Sequence, residues 1–189
     1  MKSSSENLPV FWKTYWHGLY STPRAWAHKG ENLIHAFEVV ADATVQDLMH
    51  LNMRDQAFML AGMAIEVQLK AILVNRPEVR VVVSAPKKPK AAADKSLWNV
   101  FYSHDLVSLA SRTGVAFSTR QLKTAAALTQ YINWRGRYVA PTERRINDLV
   151  PIKLETGMVG PSHGVTIEHA RDLINRIVCE VKARLYGQA

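Results

Sequence analysis

Three groups of residues in this chain have types and spacings that could do chemistry. Glu66 and Lys70 stand one helical turn apart inside an apolar run, with Glu before Lys, the order that favours an ion pair. His104, within Ser103-His104-Asp105, could act as general acid or base if Glu66 and Arg137 lie near it, since such work needs hydrogen-bond reach. Arg135, Arg137, Arg144 and Arg145 crowd into eleven residues beside Trp134 and Tyr138. Guanidinium forks match phosphate bidentately, and rings next to basic groups can stack bases. Lys87 and Lys88, between Pro86 and Pro89, could add phosphate contacts. Each group also has a plainer reading. Glu66 is costly to bury unpaired, so it could be a structural partner of Lys70, Arg137 or His104. His104 and Asp105 could cap a helix, and the basic stretches could be solvated loops.

Other chemistries find little support. The seven histidines are scattered, without H-x-x-x-H or H-E-x-x-H spacing or a cysteine cluster, so no metal and no cofactor is expected. His163 and His169 could meet at the start of the last helix, but two ligands make a poor site. No glycine-rich phosphate loop is present.

The elements that must position these groups read as α-helices. Residues 53–74 carry Phe58, Gly62, Ile65, Leu69 and Leu73 along one side and are apolar nearly all round, which marks a buried central helix. Residues 31–51 form an earlier helix with Leu33, Phe37, Val40, Thr44, Leu48 and Leu51 on its stripe. The short link predicts an antiparallel hairpin with the central helix. The aromatic-rich residues 1–29 predict a short helix over 10–20 that packs its rings, with Pro23 ending or redirecting it. Residues 75–102 read as a long irregular loop because of Pro77, Pro86 and Pro89, with 79–83 as a brief extended piece. Ser103 suits an N-cap for a short helix ending at Gly114. Ser118 and Gln121 form a capping box for a helix running to about Trp134. Residues 139–165 read as a second irregular loop. Thr166 caps the last helix, which ends at Gly187 and packs Cys179.

The length of 189 residues fits a single domain, 1–189. One cysteine allows no internal disulfide. The N-terminus lacks a signal-like apolar stretch, and Glu66 and Lys70 interrupt the longest apolar run, so no membrane association and a cytoplasmic location are expected. The net charge of +8 and pI near 9.7 favour a polyanionic partner.

Three segments carry a family resemblance: AGMAIEVQLKAIL at 61–73, SHDLVSLASRTG at 103–114 and YINWRGRYVAP at 131–141. In order and spacing they resemble the HEPN superfamily, helical domains named for nucleotide binding in higher eukaryotes and prokaryotes. The resemblance implies an all-α HEPN-like bundle of about five helices spanning roughly residues 30–185. It also implies a homodimer with the arginine-bearing region near its two-fold axis, binding of RNA or a nucleotide, and a setting in prokaryotic defence or a toxin–antitoxin pair. An antitoxin or another protein partner belongs to that expectation. Many members are metal-independent ribonucleases using Arg-x(4–6)-His. Here Ala140, Pro141 and Thr142 follow Arg135 at that distance, and Thr142, Glu143 and Arg144 follow Arg137. The usual pair is absent, which leaves three alternatives: a binding domain, a ribonuclease with a rearranged site of His104, Arg137 and Glu66, or an interaction module without nucleic acid.

Overall fold

A computed structural model describes residues 15, 18–46, 53–85, 89–135, 151–153, 159–161 and 164–187. The protein is all-α, with helices α1 (Pro23–Gln46), α2 (Arg54–Val74), α3 (Pro77–Val83), α4 (Ala92–Phe101), α5 (Leu106–Thr113), α6 (Thr119–Gln130) and α7 (Ile167–Tyr186). A π-helical turn, Tyr131–Arg135, extends α6. A small antiparallel ribbon pairs β1 (Pro151–Lys153) with β2 (Val159–Pro161).

The central helix follows from its composition. Phe58, Ala61, Ile65, Leu69 and Val74 of α2 are essentially fully buried. By length and composition α2 could cross a membrane, with a mean hydropathy of 1.7 over its most apolar window. The bundle encloses it instead, and 78% of that window is buried. Helix α1 lies antiparallel to α2 as expected: Gln68 Nε2, late in α2, donates to the Ala27 carbonyl, early in α1, at 3.2 Å. Helix α7 runs parallel to α2. Arg54 at the start of α2 donates to Val165 O, and Asn75 at its end donates to Arg184 O. Arg171 of α7 binds both Glu38 and Asp42 of α1 at 2.7 Å. The Glu38 hydrogen bond, opposed by burial and aided by Asp42, raises the Arg171 guanidinium above its ordinary range. Sequence periodicity places those two acids simply off the stripe.

Several expectations are corrected. Residues 75–102 are not one irregular loop, and 79–83 is not extended: α3 and α4 occupy most of this stretch. Pro77 starts α3 rather than breaking it, because the first helical position has no use for an N–H. Val79, Val82 and Val83 then bury one face. Pro23 begins α1 for the same reason. Part of 139–165 is the ribbon, with Pro151 opposite Pro161, where each proline stands at a strand end. Cys179 is exposed, since it lies off the buried stripe of Ile174, Ile177 and Val181.

Of the described N-terminal aromatics, Tyr15 and Tyr20 are exposed rather than packed as expected, and Trp26 is half-buried. Trp26 meets Phe101 edge-on at 5.4 Å and donates Nε1–H to Tyr20 O. The rest of the expected helix over 10–20 lies largely outside the described residues.

The caps are specific. Ser118 and Gln121 form the expected capping box, and Thr166 forms one with His169. Gly114 and Gly187 close α5 and α7 in the left-handed conformation. The cap of α5 is Asp105, not Ser103. Its carboxylate accepts from Val107 N at 3.0 Å, Ser108 N at 3.1 Å and Ser108 Oγ at 2.7 Å. A charged acceptor serving two orphan donors also suits the positive helix end. Asp105→Ala is therefore expected to cost about 1 kcal/mol, read from the midpoint of urea unfolding.

Candidate functional site

The site is built from α2 upward. Glu66 and Lys70 project from the same face, and Lys70 Nζ donates to Glu66 Oε1 at 2.6 Å. Both residues are buried, at 7% and 6% exposure. The second carboxylate oxygen, Oε2, lies 2.9 Å from His104 Nδ1. Lys70 Nζ also stands 5.4 Å from the centroid of the Phe101 ring of α4, a cation–π contact. Carboxylate, ammonium and imidazole thus form one cluster drawing on α2, α4 and the 103–105 segment.

His104 reaches this cluster because Asp105 delays the start of α5. The sequence predicts His104 in the first helical turn, but residues 103–105 are non-helical and Asp105 is extended. Leu106 N then bonds Thr129 Oγ1, fixing the start of α5 beside the C-terminal end of α6. The His104 side chain is half exposed, while the Glu66 carboxylate beneath it is 10% exposed. Glu66 also holds the Lys70 ammonium, so it acts as acceptor, and Nδ1 of His104 carries the hydrogen. In the neutral ring that tautomer places the lone pair on Nε2, which no described residue bonds. A carboxylate that orients an imidazole in this way prepares the far nitrogen to take a proton or accept a hydrogen bond.

The structure therefore brings together Glu66 and His104. Arg137, Tyr138, Arg144, Arg145, Lys87 and Lys88 lie outside the described residues. The backbones of Trp134 and Arg135 end the π-turn, but their side chains are also outside the description. That turn packs against α2. Tyr131 meets Phe58 at 5.0 Å between ring centroids, and a Cβ on Gly62 would fall 2.7 Å from Ile132 Cγ1. The π-turn after which the arginine stretch follows in sequence is therefore seated on α2, a few residues beyond Thr129, which bonds the start of α5.

Sequence reasoning identifies the Glu66–Lys70 pair and names His104 as a partner of Glu66. It misses Phe101, which reads only as the chain's return to the core. The signal is there, since aromatic faces often take buried cations. Among the described residues no three His, Cys, Asp or Glu side chains gather as metal ligands.

Fold and site together define an all-α protein with a buried carboxylate–ammonium pair capped by a half-exposed imidazole. Compared with known proteins, the chain matches no family model, no curated protein and no solved structure.

Proposed function

We propose that this protein is a HEPN-like helical domain that binds RNA or a nucleotide, with the arginine stretch 135–145 gripping phosphate beside His104. The observation that carries the reading is the half-exposed His104 ring, fixed by Glu66 at 2.9 Å near the end of α6 that leads into that stretch. The net charge of +8 supports it. Trp134 and Tyr138 supply stacking faces and the arginines supply charge. Assembly as a homodimer in the cytoplasm, in a defence or toxin–antitoxin setting, belongs to the same proposal and rests on analogy with the family.

A binding assay with labelled single-stranded RNA tests it. Arg135→Ala combined with Arg137→Ala is expected to weaken binding and to reduce the salt slope by about 1.4, at roughly 0.7 for each phosphate no longer neutralised. An unchanged affinity and slope would remove these arginines from the interface. Light scattering of the purified protein tests the dimer.

The Glu66–His104 hydrogen bond favours a second reading, a metal-independent ribonuclease. His104 Nε2 would take the proton of an RNA 2′-hydroxyl. The 2′-oxygen would then attack the adjacent phosphorus, and the 5′-oxygen would leave with a proton from solvent. The products would be a 2′,3′-cyclic phosphate and a 5′-hydroxyl. Cleavage that survives EDTA and disappears in His104→Gln supports this enzyme, and retention of intact RNA supports binding alone. If RNA is neither held nor cut, the domain is a protein-interaction module.

A further inference from the structure

We propose that the cleft between the first turns of α6 and α7 is a phosphate-binding site. The cleft has a volume of about 510 Å³ and is lined by Arg120, Lys123 and His169, with Thr119, Gly164 and Val165. Two long helices begin here, and their first-turn N–H groups favour negative charge.

The side chains offer donors more than they satisfy one another. Lys123 is exposed and has no acidic partner among the described residues. Arg120 only approaches Asp172, at 3.6 Å, and its side chain is 65% exposed. The same oxygen of Asp172 already accepts from Gln121 Nε2 at 3.2 Å, so this acid is held at the rim. His169 Nδ1 faces the Thr166 backbone N–H at 3.5 Å as part of the α7 cap. That assigns the ring hydrogen to Nε2, which makes His169 a donor. The turn already stabilises one anion. The Glu168 carboxyl is held below its ordinary range, first by its own backbone N–H and then by the Thr166 hydroxyl, with Arg171 and His169 adding to the effect. An ammonium, a guanidinium and an imidazole N–H around an open cleft suit the oxygens of a phosphate group.

This site is separate from the His104 cluster. Arg120 and Lys123 stand in the N-terminal part of α6, whereas Thr129, near its end, bonds the start of α5. Ten residues of helix separate Thr119 from Thr129, about 15 Å along the axis. The inference does not need the RNA reading, because a phosphate group alone should bind.

Calorimetric titration with inorganic pyrophosphate at low ionic strength tests it. Wild-type protein is expected to bind saturably at one site per chain. Lys123→Ala should weaken binding about tenfold, as expected for one charged hydrogen bond. Arg120→Gln combined with Lys123→Ala should abolish it. All these side chains are exposed, so folding should persist, and circular dichroism checks this. Lys182→Ala removes the same charge from an exposed position on α7 and should leave binding unchanged. The site is overturned if wild-type protein gives no saturable binding, or if Lys182→Ala weakens it as much as Lys123→Ala. Competition by single-stranded RNA then assigns the phosphate to a nucleic-acid backbone, and failure to compete assigns it to a small phosphate compound. RNA binding without pyrophosphate binding would overturn this site while leaving the arginine-stretch reading intact.

Discussion

Glu66→Ala is expected to destabilise the protein by about 3 kcal/mol or more, because it strands a buried ammonium. Lys70 is 6% exposed, and its only described acidic partner is Glu66. The Phe101 ring at 5.4 Å stabilises the cation but cannot accept its hydrogen bonds as a carboxylate does. His104 would lose its anchor in the same variant, which loosens the 103–105 segment. The cost therefore lies in what is left unpaired, not in the intrinsic strength of the pair. That distinction gives a sharper test. Glu66→Leu combined with Lys70→Met removes both charges at similar volume and should recover most of the loss, since buried ion pairs are often replaceable by packed apolar side chains. Urea unfolding of the two single variants and the double measures the coupling. If Glu66→Ala shifts the midpoint no more than an ordinary surface substitution, Lys70 reaches solvent and the cluster is not a buried unit.

In that double variant the function separates from the fold. His104 remains but has no carboxylate to orient it. Under the ribonuclease reading, cleavage should fall although stability is restored. Under the binding reading, RNA affinity should fall only modestly, because His104 loses its anchor while the arginine stretch keeps its charge. Glu66→Gln is the milder companion, keeping an acceptor for His104 while removing the charge that balances Lys70.

Gly62→Val should cost about 3 kcal/mol, at the upper end of what overpacking a core helix interface does. A Cβ at position 62 would lie 2.7 Å from Ile132 Cγ1, 2.9 Å from its Cδ1 and 3.1 Å from the Leu128 carbonyl oxygen. Ile132 is 2% exposed and Leu128 is fully buried, so neither has free space to enter. Gly62→Ala adds only the Cβ and gains about 1 kcal/mol of helix propensity. Its net loss should thus be smaller, about 1 kcal/mol. Combining Gly62→Ala with Ile132→Ala removes the clashing atoms, and the pair should cost less than the sum of the singles. Additive losses would mean that the helices separate freely at this point. The consequence also reaches the proposed interface, because the π-turn seated on Gly62 immediately precedes the arginine stretch in the chain. Gly62→Val should weaken RNA binding even where the chain stays folded.

Much of the scaffold is legible along the chain. The apolar run of α2, the capping boxes at Ser118 and Thr166, and the glycine stops at 114 and 187 are local signals. Each is set by neighbours within a few residues, so spacing alone reveals it. The misreadings share a cause. Pro77 and Pro23 read as breakers, yet a proline is harmless where a helix begins and its N–H would have no partner. Whether valines 79–83 form a strand or a helix is also not a local question. Their buried face against the bundle decides it.

By itself the sequence determined that Glu66 and Lys70 share one face of a mostly buried helix, because a period of 3.6 residues puts i and i+4 together. It also determined that a charge so placed must find a partner. Only the tertiary structure decided that His104, 38 positions away, takes the second carboxylate oxygen while its side chain stays half exposed. That outcome depends on where the Asp105 cap starts α5, how Thr129 fixes that start, and where Phe101 brings α4 against Lys70. Those contacts join segments distant in the chain, and no spacing rule within one helix encodes them.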